Sequence, residues 1–152
     1  MIRNKMKISE DGLELIKKFE GCETTAYQDS VGVWTIGFGH TKGVEEGQTC
    51  SIEDAESMLA EEMDEYEGYI NNMVKVELQQ HEFDALVAWV YNLGPTNLGE
   101  STMLKVLNGG QFDRVPDEMN RWTRAGGEIL EGLVRRRQAE SLMFQNLDWR
   151  QV

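Results

Sequence analysis

Between Ser51 and Met73 the apolar residues Ile52, Ala55, Leu59, Met63, Tyr66, Ile70 and Met73 follow one another at steps of three or four. That spacing keeps side chains on one face of an α-helix. Ser51 with Asp54 three residues on resembles a capping box at its start. The pattern predicts one long amphipathic helix over 51–73, joining whatever precedes it to whatever follows. The acids Glu53, Glu56, Glu61, Asp64, Glu65 and Glu67 mostly take the opposite face and read as a solvated surface.

Ahead of this helix two kinds of local pattern succeed each other. Ser9 suits an N-cap, Leu13, Ile16 and Phe19 fall at three-residue steps, and Gly21 is the residue type that closes a helix in left-handed geometry, which makes Glu20 the last helical residue. From Thr25 to His40 a turn-like Asp29 to Gly32 precedes β-favouring Val33 to Ile36, with glycines at 37 and 39, and predicts a hairpin or small twisted sheet. Beyond the long helix, 80–93 holds the run Ala85 to Tyr91, apolar nearly all round, and stops at Gly94-Pro95 as a central core helix should. Shorter helices are expected at 101–107, about 113–124 and about 132–147, separated by Gly109-Gly110 and Gly126-Gly127. The architecture expected is α+β. A small N-terminal lobe, about 8–50, carries the hairpin, the 51–73 helix connects it to an all-helical lobe, about 74–150, and a cleft between the lobes is where a polymer could lie.

The 152 residues suit one such domain, and 40% hydrophobic residues with four Trp, four Tyr and five Phe supply its core. No apolar run approaches the roughly 20 residues that span a bilayer. The start, Met1 to Lys7, has the positive charges of a signal peptide without an apolar stretch after them, so the expectation is a chain that remains in the cytosol. Cys22 and Cys50 form at most one disulfide, and in that compartment they read as reduced thiols. With 27 acidic and 15 basic residues the formal charge is −12. Nucleic acid and stable association with an anionic membrane both need a cationic face and are not expected. Residues 51–100 hold twelve acids and only Lys75, against seven acids and eight bases in 101–152.

Cleaving a glycosidic bond takes one carboxyl protonated at working pH and a second group that handles a water or attacks the sugar. Glu20, at a helix C-terminus, faces the negative end of the helix dipole, which disfavours its anion and suits the first role. Taken alone, a helix-end Glu is most often a surface residue. A hairpin centred near Val31 puts residues 27, 29, 33 and 35 on one side, which makes Asp29 and Thr35 diagonal neighbours. An ionised Asp accepts from a water while a Thr hydroxyl orients it. Equally, Asp29 simply favours a turn and Thr35 a strand.

On these residues the chain resembles the phage-type lysozymes of glycoside hydrolase family 24. The resemblance rests on Glu20-Gly21, then Ala26, Tyr27, Asp29, Gly32, Thr35, Ile36, Gly37, Gly39, His40 and Thr41, which keep the spacing Glu-x8-Asp-x5-Thr. Asn92 and Gly94, Ser101 with Leu104, Arg121-Trp122, Gly126-Gly127, and Gly132-Leu133 with Arg136, Arg137 and Glu140 continue it in order, over roughly 9–147.

The resemblance implies hydrolysis of the β-1,4 bond between N-acetylmuramic acid and N-acetylglucosamine in bacterial peptidoglycan, without metal or organic cofactor. It makes Glu20 the proton donor, Asp29 the base acting on a water, and Thr35 the residue that helps hold that water, with inversion at the anomeric carbon. Tyr91 and Asn92 match positions lining the sugar groove, although Tyr91 equally suits the core. An Arg of the run 135–137, by preference Arg136, matches a partner of the catalytic Glu, and His40 matches a partner of an acid on the long helix, by position Glu62. A metal site at His40 would need partners, of which His81 is the only other imidazole. The resemblance further implies a monomeric endolysin that stays in the host cytoplasm until a phage holin permeabilises the membrane. Its net acidity departs from the many basic phage lysozymes, whose charge helps them onto anionic walls. The rival readings are a lytic transglycosylase working through Glu20 alone, against which Asp29 argues, and a non-catalytic wall-binding module of the same fold, against which the complete triplet argues.

Overall fold

The computed structural model describes residues 3–152; Met1 and Ile2, at the head of the basic N-terminal segment, lie outside the described residues. The chain runs through α1 (Glu10–Glu20), β1 (Glu23–Gln28), β2 (Trp34–Gly37), α2 (Ile52–Met73), α3 (Gln80–Leu93), α4 (Pro95–Glu100), α5 (Thr102–Asn108), a 3-10 turn (Phe112–Arg114), α6 (Val115–Met119), β3 (Arg124–Ala125), β4 (Glu128–Ile129) and α7 (Glu131–Phe144). It divides into two compact units, Ile16–Asp64 and the remainder, the divisions falling inside α1 and α2.

In the unit Ile16–Asp64, β1 and β2 form an antiparallel hairpin in which Tyr27 faces Thr35 and Gln28 faces Trp34. The register is centred on Val31, where the turn-like residues lie. A bridge from Thr25 to Thr49 adds the segment before α2 to the other edge of β1. Ile16, Ala26, Ile36, Phe38, Ala55 and Leu59 are buried. Gly37 has to be glycine for two reasons: its φ is +66°, and a Cβ there would stand 3.2 Å from the Cβ of Ala55 on α2. The amphipathic pattern of 51–73 becomes α2, and Ser51 and Asp54 cap it reciprocally, Asp54 N–H to Ser51 Oγ at 2.9 Å and Ser51 N–H to the Asp54 carboxylate at 3.3 Å.

The other unit is built around α3. Phe83 through Val90 are buried without interruption, as the all-round apolar run requires, and Gly94, at φ +89°, ends the helix with its N–H on Val90 O. Helices α7 and α4 pack against it, α6 packs on α7 and α5 on α6, and Trp149 is buried. The ring of Trp89 meets that of Trp122 edge-on, 5.3 Å between centroids.

Three sequence expectations are corrected here. The helix expected over about 113–124 is broken: a 3-10 turn leads into the five-residue α6, and Arg124 already lies in a two-residue strand paired with β4. Gly126 and Gly127, both at positive φ, make the turn of this hairpin, so the larger lobe is not all-helical. Ser9 stands at the head of α1, its C=O accepting from Leu13 N–H at 3.1 Å, and its hydroxyl donates to the carboxylate of Asp84, which also accepts from Ser9 N–H at 3.0 Å and Gln80 Nε2 at 2.8 Å. Glu67 is buried rather than solvated. The backbone of the N-terminal arm is bonded by side chains of α2 and α3, Ile8 N–H by Glu67 at 2.8 Å, Met6 by Asn71 through both N–H and C=O, and Lys7 O by Gln80 at 2.8 Å.

Asp84 is 2% exposed and holds three donors. Asp84→Ala is expected to lower the unfolding free energy by about 2–4 kcal/mol, because it strands those donors, while Ser51→Ala at the exposed cap costs about 1 kcal/mol. Urea unfolding of both variants checks the ranking, and equal losses would contradict it.

Candidate active site

Glu20 is the last residue of α1, half-buried, and the chain leaves the helix through Gly21 at φ +67°, whose N–H closes on Lys17 O at 3.0 Å. The sequence order Glu-Gly therefore fixes where the helix stops and brings the carboxyl to its end. Asp29 occupies the hairpin turn. Its Oδ1 accepts from the N–H groups of Val31 at 2.9 Å and Val33 at 2.8 Å, while its own N–H donates to Val33 O at 2.9 Å. A short acceptor side chain in a turn makes this bond to backbone two residues ahead, and here it makes a second one across the turn. One carboxylate oxygen is thereby held in place. Among the described residues no hydrogen bond to Oδ2 is seen, so that oxygen is the one available to a water.

Thr35 is directly across from Tyr27, and the alternation of the strands places Tyr27, Asp29, Val33 and Thr35 on one face of the hairpin. The Thr35 side chain is buried and its hydroxyl donates to Val33 O at 3.0 Å. Its proton is thus committed to the strand, and the lone pairs on Oγ1 are what it offers to a water. Tyr27 was not singled out from the sequence. It is 38% exposed, and burial together with the carboxylates of Glu20, Glu23 and Asp29 pushes its phenol up from the usual tyrosine value. Below that value the group is a neutral hydrogen-bond donor standing close to both carboxyls. The readable signal was the alternation itself, which puts residue 27 on the same side as 29.

His40 follows a tight turn through Gly37 and Gly39, closed by paired hydrogen bonds between the backbones of Ile36 and His40, both 2.9 Å. Its Nδ1 pairs with the carboxylate of Glu62 on α2, with both side chains mostly buried. The end of β2 is thereby tethered to the long helix. Val31, at 80% exposure, marks the tip of the hairpin as open surface.

The remaining expected residues lie in the other unit. Tyr91 is half-buried and its ring meets Tyr66 edge-on at 4.9 Å between centroids, which places it on α3 against α2. Asn92 is exposed and its Oδ1 accepts from Arg137 Nη2 at 2.7 Å. Of the run 135–137, Arg135 is exposed, whereas Arg136 and Arg137 are buried and converge on Glu140, itself fully buried. Arg136 Nε lies 3.0 Å and Arg137 Nε 2.8 Å from its two oxygens, and Arg136 Nη2 donates to Ala88 O at 3.0 Å. Glu140 is a functional support that the motif alone leaves without a role. Its spacing, three residues from Arg137 and four from Arg136, was the available signal. No group of three or more His, Cys, Asp or Glu side chains suited to a metal ion is found among the described residues.

A model of the family described as phage lysozyme matches residues 17–140, a span holding the hairpin, α2, α3 and the Glu140 cluster. The chain is 40% identical over 145 residues to the endolysin of Acyrthosiphon pisum secondary endosymbiont phage 1, covering 93% of this chain and 99% of that one. Among solved structures it is similar to the endolysin from Escherichia coli O157:H7 phage FAHEc1, with a TM-score of 0.87, 35% identity and coverage of 94% and 96% of the two chains. It is also similar to the muramidase domain of SpmX from Asticaccaulis excentricus, with a TM-score of 0.86, 38% identity and coverage of 92% and 98%. With the family model covering most of its length and these relatives aligned nearly end to end, the chain belongs to the phage lysozyme family.

Proposed function

We propose that this protein is an endolysin that hydrolyses the β-1,4 bond between N-acetylmuramic acid and N-acetylglucosamine in bacterial peptidoglycan. The observation that carries the reading is the hairpin turn: Asp29 is held by two backbone N–H groups on one oxygen, with Thr35 sharing its face. A carboxylate fixed in this way presents the other oxygen in a defined direction, which suits a base that takes a proton from a water better than a flexible surface acid would. In this mechanism Glu20 donates its proton to the leaving glycosidic oxygen. A water donates hydrogen bonds to Asp29 Oδ2 and Thr35 Oγ1, loses one proton to Asp29 and attacks the anomeric carbon from the face opposite the leaving group. Tyr27, kept neutral, donates toward the same region.

Tyr91 and Asn92 take the role of sugar contacts, and Arg136, with His40 and Glu62, that of support. Neither a metal nor an organic cofactor takes part in this scheme. The proposed protein is a monomer whose partners are peptidoglycan and, functionally, a holin-like permeabiliser that lets it pass from the host cytoplasm to the wall. The names of the curated relatives support this setting. No described helix is long and apolar enough to cross a membrane.

Glu20→Gln removes the proton donor while nearly preserving shape. It is expected to leave the fold intact by circular dichroism and to lower lysis of outer-membrane-permeabilised bacteria by at least about 10²-fold, since general acid–base catalysis contributes 10² to 10⁴. Activity within about tenfold of the parent would remove Glu20 from the role. Mass spectrometry of muropeptides released by the parent should show reducing ends carrying the elements of water; anhydro-muramic ends would instead make the enzyme a lytic transglycosylase.

The charge distribution yields a second prediction. Twelve acids against Lys75 in residues 51–100 oppose approach to an anionic wall, and raising salt from about 0.01 to 0.1 M shortens the Debye length from roughly 30 to 10 Å. Lysis of permeabilised cells should rise over that interval while cleavage of a short neutral chitooligosaccharide changes little. A steep fall of lysis from the lowest salt would mean that a local basic surface, such as that at Arg135, governs adsorption.

A further inference from the structure

The unit Ile16–Asp64 contains both cysteines of the chain. Cys22 is exposed, one residue past the left-handed Gly21. Cys50 is partly exposed, on the segment that leads into α2. The backbone lays these two segments side by side. Cys50 N–H donates to Thr24 O at 2.9 Å, Thr25 and Thr49 form an antiparallel bridge, and Ala26 N–H donates to Gln48 O at 2.9 Å. With 25 facing 49, residue 24 faces 50, and Cys22 lies two residues before 24, on the segment between Gly21 and β1. The pairing of Cys50 with Thr24 thus brings the two cysteines into one neighbourhood. Burial pushes the Cys50 thiol up from its usual value, and the nearby Cys22 and then Asp54 add to the effect, so the exposed Cys22 is the more accessible of the two for a first attack.

We propose that Cys22 and Cys50 are a disulfide-forming pair, an oxidative latch between the turn that ends α1 and the segment that begins α2. The oxidant is a small disulfide such as oxidised glutathione. The Cys22 thiolate attacks one of its sulfurs, breaking that S–S bond, forming a mixed disulfide and expelling one glutathione thiolate. The Cys50 thiolate then attacks Cys22 Sγ, forms the internal bond and expels the second thiolate. The two thiol protons pass to solvent or to the departing thiolates, and the two electrons lost by the protein reduce the oxidant. The bond requires roughly 4.4–6.8 Å between the two Cα atoms. The exposed turn at Gly21 is the element that supplies the movement. Once closed, the latch encloses residues 22–50, which include Asp29, Thr35 and His40, in a covalent loop ending two residues from Glu20. Both cysteines are free in the structure, in line with two reduced thiols, and on this proposal their state follows the redox poise of the surroundings.

The test needs no wall-cleaving assay, so its failure is separable from failure of the catalytic reading. The full chain is incubated with oxidised glutathione, denatured and titrated with Ellman's reagent, and its tryptic peptides are mapped by mass spectrometry. The expected result is loss of both titratable thiols, a mass lower by two hydrogens, a Cys22–Cys50 cross-linked peptide, and a thermal midpoint raised by about 5 °C or more that returns to the starting value with dithiothreitol. Cys50→Ser should instead hold glutathione on Cys22. Two persisting thiols, glutathione adducts without the internal bond in the parent, or intermolecular dimers would overturn the pair, and a bridged protein with an unchanged or lowered midpoint would overturn the latch.

Discussion

Glu140 is a carboxylate with no exposure to water; one of its oxygens accepts from Arg136 Nε at 3.0 Å and Arg137 Nη2 at 3.2 Å, and the other forms an ion pair with Arg137 Nε at 2.8 Å. Removing a charge of this kind from water costs several kcal/mol, and the attraction of a partner returns that only when the geometry is good and the remaining donors are satisfied. Here they reach into neighbouring elements: Arg136 to Ala88 O, Arg137 to Asn92 Oδ1 on α3 and to Trp122 O in the turn after α6. The cluster thus sets how α7 lies on α3, and with it where Asn92 stands. Its contribution is geometric more than energetic, because an apolar trio of similar volume would fill the same space without fixing any polar direction.

The unit that carries Glu20 and Asp29 solves the same problem with smaller means. Asp29 borrows two backbone donors from its own turn, and His40 reaches Glu62 across to the long helix. Both devices hold a strand end that would otherwise be free, since a two-stranded hairpin alone is marginally stable in water. The result is a carboxylate with one oxygen anchored and one open, on a hairpin tethered at its far end.

Much of this arrangement was legible because it is local. A continuous apolar run closed by Gly-Pro gives a helix over 80–93, Ser51 and Asp54 announce the start of α2, and turn residues centred on 31 set a register that decides which side chains share a face. The departures are long-range. Ser9 heads α1 as its chemistry suggests, but its hydroxyl proton goes to a buried carboxylate 75 residues away, Asp84, which no local pattern announces. Glu67 lies on the polar side of its helix by period, yet the N-terminal arm covers it and uses it as an acceptor. The strands β3 and β4, two residues each, are too short to show alternation and are made by a Gly-Gly turn that reads equally as a separator. Tyr27 and Glu140 were visible as positions but not as participants, since their roles depend on which other side chains the fold brings beside them.

That Asp29 works on a water, and not on the sugar itself, is the claim on which the chemistry turns. It is tested most directly by following, by proton NMR before mutarotation sets in, the anomer first formed when the enzyme cuts a soluble β-1,4-linked glycan strand. Attack by a water held between Asp29 and Thr35 gives inversion, so the α anomer of the new reducing end should appear first and the β anomer only as equilibrium is approached. If the β anomer forms first, configuration is retained, Asp29 is a nucleophile that passes through a covalent glycosyl-enzyme, and the water-holding role of Thr35 is wrong.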